Sequence, residues 1–196
     1  MNLRMVIPVE LAVIGLLGAG YYGYHAVQGP EPEAKPTGSQ TATASPSPSP
    51  LPKVKTTRVV SKQGKYAVGV PEDVTARKVP PSVTMTTADK ALHVAIGPVA
   101  PAKLSAINKA LMRDLKKTYT DVQVTRSETQ DVDGHKATQT YGRALNDKEL
   151  PISFANVVVK SKTRNYVISA FTAASSDPTF VVPRVDAVIN TFEVLE

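Results

Sequence analysis

The 196-residue chain has no cysteine, no tryptophan, only three histidines and 6% aromatic residues. Without cysteine it has no disulfide, thiolate metal site, thiol nucleophile or lipid-bearing N-terminal cysteine. An extracytoplasmic domain of this composition must hold together by packing alone. The pattern G-x-S-x-G is absent, so no serine sits in a nucleophile elbow. The glycine set "GLLGAG" lies inside an apolar run and is not a phosphate loop. No two carboxylates stand out as an acid–base dyad. No catalytic residue, cofactor or metal site is therefore assigned. Scattered basic residues, few aromatics and no recognition motif argue equally against nucleic-acid binding.

What is present divides the chain into three parts. Residues 1–28 are expected to form a membrane anchor: Pro8 to Val27 is an almost unbroken apolar run, and a spanning helix needs about 20 such residues. Arg4 precedes it, and Tyr21, Tyr22 and Tyr24 cluster at its far end, where amphipathic rings favour the headgroup level. This predicts a single-pass cell-membrane protein with its N-terminus cytoplasmic and its C-terminal domain extracytoplasmic. A cleaved signal peptide, with "GAG" at 18–20 as its small-residue site, is the competing reading. With Pro8 as the first helical residue, Glu10 would stand at the third position, where exposed N–H groups and the helix dipole favour a carboxylate.

Residues 29–57 hold seven of the sixteen prolines, with Ser, Thr and Ala and almost no large apolar side chains. Such a segment cannot bury enough surface to offset ordering, so a disordered, partly polyproline-like linker is expected. Residues 58–196 are long enough for one domain with a real core. They carry 19 Lys/Arg against 14 Asp/Glu, a mild positive balance that selects no partner.

In this last part the apolar pattern changes to short alternations broken by two helical stretches. "GKYAVGVP", "SVTMTT", "ALHVAI", "DVQVTRSETQ", "KATQTYGRAL", "ISFANVVVKS" and "NYVISAFTA" read as strands. Lys103 to Tyr119 reads as a helix with Leu104, Ile107, Leu111 and Leu115 on one stripe. A closing helix has Val181, Val185, Val188 and Phe192 at helical spacing. Pro183 is expected in its first turn, since deeper it would remove a hydrogen bond. The fold class is α+β: an antiparallel sheet covered by two main helices.

The order of these segments resembles the PsbP-like superfamily, which includes the LpqN-type bacterial lipoproteins. The resemblance is carried by "YAVGVPEDV", the amphipathic helix, the hairpin "VDGHKATQTYGR", the paired "ISFANVVVK" and "RNYVISAFTA", and "VINTFEV". It implies a binding or accessory role more than catalysis. The lipoproteins are anchored through a cysteine that this chain lacks, and here the apolar helix would take over that task.

Candidate sites are few. In "QDVDGHKA", Asp131, Asp133 and His135 offer metal-ligand types, yet Asp-Gly between two strands is a strong hairpin signal, and a turn is expected. His93 falls out of phase with the apolar face of its strand and is expected on a polar, partly exposed face. Lys109, Arg113, Lys116 and Lys117 lie opposite the leucine stripe, and Lys160, Lys162 and Arg164 gather in a later turn. Each group is first a solvated surface; on one side together they would contact anionic lipid headgroups or wall polymers. The sequence thus points to a non-catalytic binding domain for a protein or cell-envelope component. An envelope hydrolase or transferase using His93 or His135 is the alternative, and an anionic lipid or wall-polymer binder a third.

Overall fold

The structure is a computed structural model that describes residues 53–195. The expected anchor, Pro8–Val27, and nearly all of the linker lie outside the described residues. Among the described residues no helix is long and apolar enough to cross a membrane.

The elements run β1 (Thr56–Ser61), β2 (Tyr66–Pro71), β3 (Val74–Val79), β4 (Ser82–Thr87), β5 (Leu92–Val99), α1 (Leu104–Thr118), β6 (Thr120–Val132), β7 (His135–Leu145), β8 (Pro151–Lys160), β9 (Asn165–Ala173), α2 (Pro178–Asn190) and β10 (Glu193–Val194). Seven strands form one antiparallel sheet in the order β3-β4-β5-β9-β8-β7-β6; β1, β2 and β10 form a small second sheet. This is the expected α+β architecture. The small sheet was not foreseen, and β1 begins at Thr56, two residues ahead of the boundary placed at Arg58.

Period-two alternation divides the large sheet into two faces. On one, Val94 and Ile96 of β5, Val157 and Val159 of β8, and Tyr166 and Ile168 of β9 meet Tyr66 and Val68 of β2 and Val181, Val188 and Ile189 of α2. On the other, α1 lies across the sheet: Leu111 packs on Val158 and Val167, and Leu115 on Ala144, Ile152, Phe154 and Phe171. The leucine stripe read from the sequence is thus the buried edge of α1. Each fully buried leucine contributes about 1.5–3 kcal/mol.

The small sheet is fastened by aromatics. Phe192, 2% exposed, stacks on Tyr66 at 5.6 Å and meets Tyr166 edge-on at 5.4 Å. The Tyr66 hydroxyl donates to the Ile96 carbonyl at 3.0 Å, and the Tyr166 hydroxyl to the Lys65 carbonyl at 2.9 Å.

The closing helix begins earlier than its valine spacing suggested. Asp177 caps it, accepting from the Thr179 N–H at 2.8 Å, and Pro178 occupies the first turn. Pro183 therefore lies inside the helix and not in its first turn, and its ring is buried in the core. Phe192 falls beyond the helix end, in the turn to β10. Arg184 ties α2 back to the β2–β3 turn, its Nε donating to Asp73 Oδ2 at 2.9 Å. That guanidinium hydrogen bond holds the Asp73 carboxyl below its usual range.

Up-and-down strand order gives the domain two ends. The chain enters beside the β2–β3 turn, where the Lys55 carbonyl accepts from the Glu72 N–H at 3.2 Å. This proximal end also holds the β4–β5 and β7–β8 turns, the last turn of α1 and the start of α2. The distal end holds the β1–β2, β3–β4, β6–β7 and β8–β9 turns, the segment before α1, and β10.

Candidate functional site

The β6–β7 hairpin is a turn, as expected. Asp133 and Gly134 both have positive φ, 52° and 70°, the signature of a two-residue type I′ turn that matches strand twist. Asp133 Oδ2 accepts from the Val194 N–H at 2.8 Å and so holds β10, while His135 opens β7. Among the described residues no three His, Cys, Asp or Glu side chains gather where a metal could sit.

His93 is partly exposed, as its out-of-phase position suggested, but its ring nitrogens are enclosed. Its Nδ1 is 2.9 Å from Thr86 Oγ1, and burial lowers its pKa to about 4. The ring is therefore neutral at physiological pH, and its bonded partner is a threonine hydroxyl rather than a carboxylate that would orient a general base. Its Nε2 is one of three buried side-chain nitrogens without a hydrogen-bond partner among the described residues, with Gln130 Nε2 and Asn156 Nδ2.

The seven basic residues singled out from the sequence do not form one patch. Asn165 Nδ2 donates to the Ala102 carbonyl at 2.9 Å, which puts the β8–β9 turn beside the start of α1. Lys116 and Lys117 sit in the last turn of α1, roughly 20 Å away along a helix rising 1.5 Å per residue. Arg113 and Lys117 also share Asp114, at 3.6 and 2.9 Å. Lys109 lies between the two ends.

Lys160, Lys162 and Arg164 acquire other neighbours. The Arg164 guanidinium donates to the Gln63 and Gly64 carbonyls at 3.4 Å, fastening the β8–β9 turn to the β1–β2 turn with its Lys62 and Lys65. Lys78 is the penultimate residue of β3, Lys103 precedes α1 and Lys136 lies near the start of β7, all at this distal end. Among the described residues, eight basic side chains thus share the end with three acidic ones: Asp131, Asp133 and Glu193. Two of those three are engaged, Asp133 by Val194 N and Glu193 by Arg58 at 2.7 Å. Glu72, Asp73, Asp89, Asp121, Asp147, Glu149 and Asp177 lie at the proximal end instead. The positive balance of the domain is therefore concentrated at the end remote from chain entry.

A second polar cluster was missed in the sequence. On the face that carries α2, the helix lies over β9 and β2, and strands β6–β8 extend past it as a wing. Here Gln139 is 3% exposed and its Nε2 donates to the Tyr141 hydroxyl. Burial, then the carboxylates of Glu128 and Asp186, push the Tyr141 phenol pKa up, and burial raises that of Asp186 on α2. Arg126 lies 6.0 Å over the Tyr141 ring and pairs with Glu128. Gln130, with its unpartnered amide nitrogen, lies on the same face two positions along β6 from Glu128. Perturbed carboxyl and phenol groups beside buried amides mark a candidate site. They come from β6, β7 and α2, so no local motif announces them.

No protein-family model and no curated protein matches the chain. Solved structures do. CyanoP, the cyanobacterial PsbP of Synechocystis sp. PCC 6803, superposes with a TM-score of 0.55 at 13% identity, covering 76% of this chain and 97% of CyanoP. LpqN, involved in cell envelope biogenesis of Mycobacterium tuberculosis, gives 0.51 at 15% identity, over 73% of this chain and 92% of LpqN. A protein from Bacteroides thetaiotaomicron gives 0.50 at 10% identity, over 72% of this chain and 49% of its own. At such identities the likeness concerns the fold alone, and the fold of residues 53–195 is PsbP-like.

Proposed function

We propose that the protein is a non-catalytic extracytoplasmic binding or accessory domain, held to the membrane by its apolar N-terminal segment, whose distal end docks on an anionic component of the cell envelope. The distal charge carries this reading: among the described residues, eight basic side chains from five separate segments lie at that end, against three acidic ones. That end is the one furthest from where the chain enters. On a linker of this kind it would face outward, away from the protein's own membrane. A charged surface of this sort raises the local concentration of an anionic partner and loses its hold as salt screens it. The low pKa of His93 and its threonine partner favour binding over acid–base turnover.

The test is co-sedimentation of the protein with an isolated envelope fraction across a salt series. Lys62→Glu with Lys160→Glu, both exposed, should abolish pelleting. Lys116→Glu with Lys117→Glu, the same charge change at the proximal end, should leave most of it. Equal losses from the two pairs, or pelleting indifferent to salt, would refute the docking role of the distal end. Protease access to the linker in intact cells tests the topology, and full protection there would place the domain inside.

A further inference from the structure

We propose that the wing of strands β6–β8 beside α2 is a second binding site, which takes a neutral polyhydroxylated ligand, a saccharide chain. The hydrogen-bonding capacity left over in the wing argues for this class. Gln130 Nε2 is buried without an acceptor, although its residue is partly exposed, so turning the amide toward a ligand would relieve an unmade bond. The Tyr141 hydroxyl accepts from Gln139 and keeps its own proton to donate. The Asp186 carboxyl, half-buried on the facing flank of α2, supplies acceptor oxygens. Donors at Gln130 and Tyr141 and acceptors at Asp186 thus share one face, with Gln130 four strand positions, about 13 Å, from the Tyr141 pair, and a hydroxyl group satisfies both kinds at one atom.

Charge narrows the choice further. An anionic ligand would meet Asp186 and Glu128. A cationic one would find the face of the Tyr141 ring already taken by Arg126, which pairs with Glu128. A neutral ligand meets neither penalty, and Ser153 and Ala155 of β8 leave a partly exposed floor of small side chains for it. This site is independent of the distal basic end and uses none of its residues.

The experiment is saturation-transfer NMR on the full-length chain in a polyoxyethylene detergent, because glycoside detergents would compete. The probes are a glucan trimer, a trimer of N-acetylhexosamine, spermidine and polyphosphate. One or both trimers should bind saturably, with Kd on the order of 1 mM, as expected for a handful of hydrogen bonds. Gln130→Leu and Tyr141→Phe should each weaken that binding about tenfold or more. Gln130→Leu removes an unsatisfied buried donor, so it should melt no lower than the parent, which separates loss of the site from loss of the fold. Lys62→Glu with Lys160→Glu should leave trimer binding unchanged. No saturable trimer binding, binding unaffected by the wing variants, or preferential binding of spermidine would overturn the proposal.

Discussion

Phe192→Ala is the sharpest test of how the small sheet is held. The ring is 2% exposed, stacked on Tyr66 with planes 27° apart and edge-on to Tyr166 at 64°. Deleting it removes its transfer free energy and leaves a cavity between three elements, because Tyr66 and Tyr166 are pinned by their hydroxyl bonds and cannot collapse inward. Phe-to-Ala changes at such sites cost about 3–5 kcal/mol. For a domain of this size each kcal/mol lowers Tm by about 3 °C, so a fall of about 9–15 °C is expected. Phe192→Leu keeps most of the volume and should cost less than about 1.5 kcal/mol. Thermal and urea unfolding of the parent and both variants, followed by far-UV circular dichroism, supplies the numbers. If Phe192→Ala loses no more than Phe192→Leu, the aromatic cluster does not join the small sheet to the large one.

Two other perturbations probe the wing and its support. A Cβ at Gly142 would lie 2.3 Å from the Gln123 carbonyl oxygen, at the bulge in β6, and 2.3 Å from Phe154 Cζ. Gly142→Ala should therefore cost about 1–3 kcal/mol by overpacking, visible as a lower urea midpoint; an unchanged midpoint would mean the β6 bulge yields freely. Asp186→Asn concerns pH. Burial raises the folded-state pKa of Asp186, so the folded chain holds that proton more tightly than the unfolded one. Its contribution is then most favourable at low pH and is lost as pH rises through the raised pKa. The asparagine variant should melt higher than the parent at neutral pH and converge with it in acid; a lower Tm at neutral pH would show that the carboxylate has a stabilising partner.

Much of the fold was legible because its signals are local. Alternation at Leu92, Val94 and Ile96, the leucine stripe of α1 and the Asp133-Gly134 turn each declare themselves within a few residues. The elements that escaped notice are those whose stability comes from elsewhere. In β3, "VTARKV", four of six residues are exposed and alternation is weak, and β4 pairing defines the strand. Two-residue β10 exists because the Asp133 carboxylate and the backbone of β2 receive it. Pro183 lies deeper than the valine spacing implies because Asp177 and Pro178 start the helix five residues before it, and a buried ring in the core tolerates the missing N–H.

The candidate sites were less legible for a topological reason. In an antiparallel up-and-down order, alternate turns come to the same end, so Lys62, Lys65, Lys78, Lys103, Lys160 and Arg164 lie at one end although up to about a hundred residues separate them. Charge read along the chain looks scattered because neighbouring turns alternate between a basic and an acidic end. The same order carries Lys116 and Lys117 to the wrong end for the cluster they seemed to belong with. Once the strands are assigned, sorting charges by alternate turns recovers the distal end with no coordinates. No such sorting finds the wing site, whose residues lie mid-strand and mid-helix; they meet only because β6–β8 continue past the edge of α2. Distal charge is thus a property of strand order, whereas the wing is a property of packing. A substitution that shifts α2 without unfolding the sheets should therefore disturb trimer binding while envelope pelleting survives.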